Sequence, residues 1–383
     1  MRSNKFRWDS YVLFKNSKEI NAFWCEHYRD NSHKTLFILG KGFDIRMNLG
    51  IKNLLENNQI QVKTLLVEFD EGRSSASHDY EKYVEKNTLE LESLSSLNIE
   101  KREITLWKGS GRKKRRIGDR EAADNIIMSY DEINEYSDII LDISALPRGI
   151  YFSLIGKILL LIDNHKSNGN ELHNFFIVTS ENAKIDSMTQ EEVLDEDLNY
   201  THGFGGGLDL TSEVPIIWFP ILGENKTAQI LNANKKINPR EICPLLPFPS
   251  KDPRRSDQLI IEYHRLLFDE LRIEGQNLMY VPEQNPFEVY RSLCSAIINY
   301  NESLKILNGC KAAISTFSSK LLSIGALLAA YELTYCNESD KIGVGLLNID
   351  SQGYRIDDEE LLTILKNESE LFLTWLTGEP YNL

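Results

Sequence analysis

The sequence predicts an α/β protein made of two tandem Rossmann-like domains with mainly parallel sheets, a short N-terminal extension and a C-terminal helix. Three observations predict it. Short apolar runs alternate with helical patterns along most of the chain, which is the signature of βαβ units on a parallel sheet. A length of 383 residues exceeds what one ordinary hydrophobic core supports. The stretch Asp138 to Ile162, a buried strand, a polar turn and an apolar helix, has a counterpart in Ala312 to Tyr335.

Taken in order, residues 1–33 read as the extension, with a strand over Ser10 to Lys15 and a helix over Ser17 to Arg29. Residues 34–180 form the first domain. Its strands are expected at Leu36 to Gly40, Val62 to Phe69, Ile99 to Trp107, Ile139 to Ile143 and Leu172 to Thr179. The helices between them cover Ile45 to Asn57, Ala76 to Leu97, Asp119 to Glu135 and the apolar run Ile150 to Ile162. Residues 181–213 carry nine acids against one Lys and end in His202-Gly-Phe-Gly-Gly-Gly207, which reads as an acidic, glycine-rich linker or a lid.

The alternation restarts over 214–350, the second domain. Strands are expected at Ile216 to Leu222, Glu241 to Phe248, Asn277 to Val281, Ala312 to Thr316 and Ile342 to Ile349. Its helices are Lys226 to Asn234, Ser256 to Ile273, Pro286 to Asn299 and Lys320 to Tyr335. Residues 351–383 form a tail with a helix over Asp358 to Leu376, opened by four acids as a helix amino terminus favours. The matching pieces Ile143-Ser144 … Ser153-Leu-Ile-Gly156 and Ile314-Ser315 … Ser323-Ile-Gly325 point to an internal duplication.

Composition narrows the function. A net charge of −14 argues against a whole-surface nucleic-acid binder while permitting a local basic site. The five cysteines are scattered and the seven histidines have no metal-ligand spacing, so buried thiols, a reducing compartment and no structural metal are expected. Ile150 to Ile162 is too short to span a bilayer, and the amino terminus lacks a signal-peptide core. A cytoplasmic protein without a membrane partner is the expectation.

In an open α/β sheet ligands sit outside the carboxyl ends of the strands. The turn after the first strand, Gly40-Lys41-Gly42-Phe43-Asp44-Ile45-Arg46, permits close backbone approach to a phosphate or adenosine ahead of a helix amino terminus. It is neither a complete G-x-G-x-x-G nor a P-loop, and a tight turn capped by Asp44 is the alternative. Glu68 and Asp70, at the end of the second strand, stand where an acid meets a ribose hydroxyl, or are merely a polar strand end. At the fourth strand, Asp142, Ser144 and Arg148 either grip an anion or brace the helix, with Asp142 neutralising Arg148. Ser315, Thr316, Ser318 and Lys320 are the second half's counterparts. Two such turns suit a ligand with two phosphates.

The pattern Gly40-Lys-Gly-Phe-Asp-Ile-Arg46 with Glu68-Phe-Asp70 is similar to one in the leucine carboxyl methyltransferase family. That resemblance implies S-adenosylmethionine held by these residues. It covers some 35 residues, and no antiparallel end strand of the methyltransferase kind is legible beyond it. The paired domains, with Asp142-Ile-Ser144 and Arg148 before an apolar helix, resemble the CARF and SAVED sensing domains of bacterial defence systems. This second resemblance implies a sensor or regulatory subunit that binds a nucleotide-type ligand and works with a protein partner.

The run from Lys108 to Arg120 holds seven cations against one Asp. Arg112, Lys113, Lys114, Arg115 and Arg116 are candidates for nucleic-acid or partner contact, or for pairing with the acidic segment 181–213. After the second strand of the second half, Pro244 to Arg255 reads as a rigid loop. It brings Lys251, Arg254 and Arg255 near that domain's carboxyl edge. Neither a Ser-His-Asp order nor a nucleophile elbow stands out. The readings left open are a sensor, an enzyme using S-adenosylmethionine or another nucleotide, and a non-catalytic interaction subunit.

Overall fold

The computed structural model describes residues 6–30, 33–70, 79–94, 96–109, 115–166, 173–194, 198–208, 214–336, 342–349, 351–356 and 368–381. In chain order its elements begin β1 (Val12–Lys15), α1 (Ser17–His27), β2 (Thr35–Gly40), α2 (Leu49–Leu55), β3 (Val62–Asp70), α3 (Glu81–Glu92) and β4 (Leu97–Thr105). Next come β5 (Trp107–Lys108), β6 (Arg115–Arg116), α4 (Gly118–Asn125), β7 (Asp138–Asp142), α5 (Arg148–Lys166), β8 (Asn174–Glu181), α6 (Ala183–Met188), β9 (Thr189–Leu194) and β10 (Asn199–Tyr200). The second half runs β11 (Ile216–Ile221), α7 (Thr227–Ile237), β12 (Glu241–Ile242), β13 (Leu245–Pro247), α8 (Arg255–Glu262), β14 (Met279–Val281), α9 (Pro286–Ser303), β15 (Lys311–Thr316) and α10 (Lys320–Tyr331). It closes with β16 (Val344–Asn348), β17 (Ser351–Ile356) and β18 (Glu370–Thr377).

The chain divides into two units, Tyr11–Leu194 with Asp350–Leu383, and Met1–Ser10 with Asp195–Ile349. The first contains a seven-stranded sheet in the order β1-β18-β8-β7-β2-β3-β4. Pairs β2–β3, β3–β4, β2–β7 and β7–β8 are parallel. The second sheet is ordered β10-β16-β15-β11-β13-β14, with β12 also on β11. There β11–β15, β15–β16, β11–β13 and β13–β14 are parallel. Counted within its own half, each sheet therefore carries strands 3-2-1-4-5, the doubly wound order.

Burial explains the legible strands. β2 and β7 are buried at every position, as a central parallel strand covered on both faces must be. Helix α5 buries most of its circumference, and α10 is buried throughout from Leu321 to Tyr331, so neither shows a polar stripe.

Three expectations fail for tertiary reasons. Over Glu370–Thr377 the chain is strand β18, antiparallel to β8 and to β1, rather than the end of a helix; residues 357–367 lie outside the described residues. The acids at 357–360 suggested a helix start, but Phe372, Thr374 and Trp375 suit a pleated surface, and pairing along β8 settles the conformation. β18 is also the antiparallel strand that had not been legible. Second, residues 183–200 carry α6, β9 and β10, with β9 antiparallel to β17, so this stretch is not a plain linker. Third, the glycine segment is tied down. Phe204 is buried, Leu346 N–H donates to its carbonyl at 2.9 Å, and Lys311 Nζ donates to Gly207 O at 2.6 Å.

Residues 6–10 complete the second unit. Trp8 is fully buried, edge-on to Tyr290 at 5.3 Å, and Arg7 N–H donates to Glu332 Oε1 at 3.4 Å. Burial pushes the Glu332 carboxyl above its ordinary range. The five cysteines are free thiols, and burial raises Cys294 strongly. Among the described residues no helix is long and apolar enough to cross a membrane.

Two predictions come from this packing. A Cβ at Gly223 would lie 2.1 Å from Phe317 O, whereas one at Gly205 meets nothing within 4 Å. Gly223→Ala should cost about 1–3 kcal/mol in urea melts, and Gly205→Ala about 0.5 kcal/mol or less. A carboxyl raised in the folded state contributes stability that is present below its unfolded pKa and is lost as pH rises through its folded one. Glu332→Gln should therefore raise the melting temperature at neutral pH, and the gain should vanish when melts are repeated at pH 4 and below.

Candidate functional site

The carboxyl edge of the first sheet is organised where its first and fourth strands lie side by side, with Leu39 opposite Asp142. A Cβ at Gly40 would meet Leu146 Cδ2 at 2.6 Å and Ala145 O at 3.2 Å. The two turns therefore touch, and glycine is needed for that approach rather than for an unusual φ. Asn87 of α3 holds the Gly40–Arg46 turn, donating from Nδ2 to Gly42 O at 3.0 Å and to Asp44 O at 2.9 Å.

Five residues of the methyltransferase-like pattern, Gly40, Gly42, Asp44, Arg46 and Glu68, converge here. Their roles differ. Arg46 is buried and donates from Nε to Asp44 Oδ1 at 2.9 Å and from Nη2 to Asp44 Oδ2 at 2.8 Å. Asp186 Oδ1 lies 2.9 Å from the same Nη2. Burial alone would lower the guanidinium, but Asp186 and Asp44 more than offset it and hold it above its ordinary value. Asp44 and Arg46 are thus a structural pair. Lys41 Nζ reaches Glu68 Oε1 at 2.9 Å, both side chains being partly exposed, and this contact is open to exchange. Asp70 ends β3, and its side chain lies outside the described residues.

At the fourth strand Asp142 and Ser144 are buried. Asp142 Oδ1 accepts from Ser144 N–H at 2.8 Å, an Asx turn that ends the strand. Its other oxygen lies against Gly50, where a Cβ would come within 2.3 Å. A carboxylate there suits the amino end of α2. Ser144 Oγ accepts from Ser180 N–H at 3.0 Å, linking the turn to β8. Both residues are braces. Arg148, the first residue of α5, is partly exposed at the same edge.

The second sheet repeats the arrangement. Gly223 presses on Phe317 O as Gly40 does on Ala145 and Leu146. Ser315 Oγ accepts from Trp218 Nε1 at 3.0 Å, and Thr316 is buried. Ser318 and Lys320 are partly exposed, while Ser319 caps α10 by accepting from Leu322 N–H at 3.3 Å.

Arg255 is the residue whose role the sequence only hinted at, through its place after the proline-rich loop. Its Nε and Nη2 donate to the two oxygens of Glu224 at 2.6 and 2.9 Å. Nη1 donates to Glu283, and Nη2 lies 3.4 Å from Ser318 Oγ. Burial alone would lower Arg255, but Glu224 and Glu283 hold it above its ordinary value. One guanidinium thus joins the turns after the first, third and fourth strands of this sheet.

Of the basic run, residues 112–114 lie outside the described residues, as does the Arg115 side chain. The Arg116 guanidinium sits 5.3 Å over the Trp107 ring, a cation–π contact.

No family model and no curated protein matches the chain. Among solved structures, a universal stress protein from Pseudomonas aeruginosa UCBPP-PA14 aligns at 9% identity and TM-score 0.20, covering 88% of this chain and 98% of that one. The cytoplasmic domain of a prokaryotic cation chloride cotransporter aligns at 10% identity and TM-score 0.21, covering 87% and 99%. The fold class rests on the two strand orders.

Brace and exchangeable contact are separable by mutation. Ser144→Ala leaves the buried Ser180 N–H without its acceptor and should cost about 1–3 kcal/mol. Lys41→Ala removes a partly exposed ion pair and should cost about 1 kcal/mol or less. Chemical denaturation of both variants checks the contrast.

Proposed function

We propose that this protein is a ligand-binding sensor or regulatory subunit that takes a nucleotide-type anion at the carboxyl edge of its Rossmann-like sheets. The observation that carries the reading is the repeated switch point. In each half a glycine after the first strand packs on the turn after the fourth, and partly exposed cations stand beside it. These are Lys41 and Arg148 in the first unit and Arg255 and Lys320 in the second.

Chemically, the Lys41–Glu68 pair can divide over one ligand. Lys41 would take a phosphate while Glu68 accepts from a ribose hydroxyl, as an acid at the end of the second strand does in dinucleotide sites. In the second unit Arg255 would exchange one carboxylate for a phosphate, which suits its planar fork. The resemblance to CARF and SAVED domains makes cyclic nucleotides the first ligands to test and bacterial defence the setting in which sensing would matter.

A second reading is favoured by one observation. The antiparallel β18 beside β8 supplies an end strand of the methyltransferase kind, which supports S-adenosylmethionine at the Gly40–Asp44 turn of the first unit.

Isothermal calorimetry of the full chain against ATP, NAD, cyclic oligoadenylates and S-adenosylmethionine separates the two. At least one nucleotide should bind, and Lys41→Ala, Arg148→Ala or Lys320→Ala should weaken it about tenfold, roughly 1.4 kcal/mol. Binding of S-adenosylmethionine alone would favour the enzyme. Absence of binding to the whole panel, or binding indifferent to all three changes, refutes the anion site.

A further inference from the structure

The opposite, amino edge of the first sheet holds a cluster that the nucleotide reading does not use. Asp138 opens β7 and is fully buried. His27, in the last turn of α1, places Nε2 at 3.1 Å from Asp138 Oδ1, and His33 places Nδ1 at 3.0 Å from Asp138 Oδ2. The two imidazole centroids are 4.2 Å apart. Glu379, just beyond β18, brings a carboxylate oxygen into the same space, and donor atoms of His27, His33 and Glu379 all lie within 4.8 Å of one another.

Supporting contacts aim these groups at a common point. Asn174 Nδ2 donates both to Asp138 Oδ1 at 2.9 Å and to Glu379 Oε1 at 3.1 Å. Its Oδ1 accepts from Glu379 N–H at 3.0 Å. His27 stacks on Phe23 at 5.2 Å and meets Phe176 and Trp375 edge-on at 5.7 and 5.8 Å. The site therefore has an apolar wall.

We infer that His27, His33 and Glu379 form a binding site for a first-row divalent cation such as Zn²⁺, with Asp138 as the carboxylate that orients both imidazoles. Ligands at about 2.1 Å around a tetrahedral ion stand about 3.4 Å apart, and the donor atoms of His27, His33 and Glu379 already lie within 4.8 Å of one another. Two imidazoles with one carboxylate suit Zn²⁺, and the Asn174 amide holds both Asp138 and Glu379 in place. The ligands come from α1, the segment before β2 and the segment after β18, so the ion would fasten the C-terminal strand to the sheet.

No spacing motif marks this site, because its ligands lie far apart in the chain. It is also independent of the nucleotide reading. The test uses the full-length chain, stripped with chelator, dialysed and titrated with Zn²⁺ and Co²⁺. It reads metal content by mass spectrometry, visible Co²⁺ absorption and the melting temperature. The wild type should retain one ion per chain and melt higher when loaded. Glu379→Gln should weaken uptake about 10-fold or more. His33→Gln should abolish the Co²⁺ bands while keeping the far-ultraviolet circular dichroism of the wild type, which separates lost ligation from lost folding. The site is refuted if the wild type takes up no stoichiometric ion, because His27 and His33 then serve only as hydrogen-bond partners of Asp138. Uptake unchanged in both variants refutes it equally.

Discussion

The close approach of the first-strand turn to the fourth-strand turn is the constraint on which both sheets depend. At Gly40 the neighbours are Ala145 and Leu146, and at Gly223 the neighbour is the Phe317 carbonyl. Neither position has room for a Cβ. With that contact made, β2 lies beside β7 and β11 beside β15, and the strand order reverses between them. The reversal leaves a crevice at the carboxyl edge.

The buried polar groups beneath that edge are there for support. Asp142, Ser144 and Ser315 each satisfy a named donor, and a polar atom without such a partner would be costly at these depths. Above them lie the ion pairs of Lys41 with Glu68 and of Arg255 with Glu224 and Glu283. The partly exposed Lys41–Glu68 pair can exchange partners at modest cost, whereas Arg255 and Glu283 are both largely buried.

Much of this was legible from residue pattern. The central strands β2, β7, β11 and β15 are apolar runs because they are covered on both faces, and the apolar helices α5 and α10 follow for the same reason. β18 was not legible, since its conformation is decided by pairing with β8, far away in the chain. The pairing of β9 with β17 escaped for the same reason. At the carboxyl edge, the sequence left open whether Asp142 and Ser144 grip or brace. Burial and hydrogen bonding decide for bracing. The His27–Asp138–His33 cluster had no sequence signature at all, because only the fold brings its members together.

Hydrogen–deuterium exchange of the full chain, with and without each nucleotide of the binding panel, addresses the carboxyl edge most directly. The account predicts slowed exchange in peptides covering residues 40–48 and 144–150, or 223–227 and 317–323, with the β4 and β14 edge strands unchanged. Exchange that stays the same in all four turns with every nucleotide, or that slows only away from them, contradicts it.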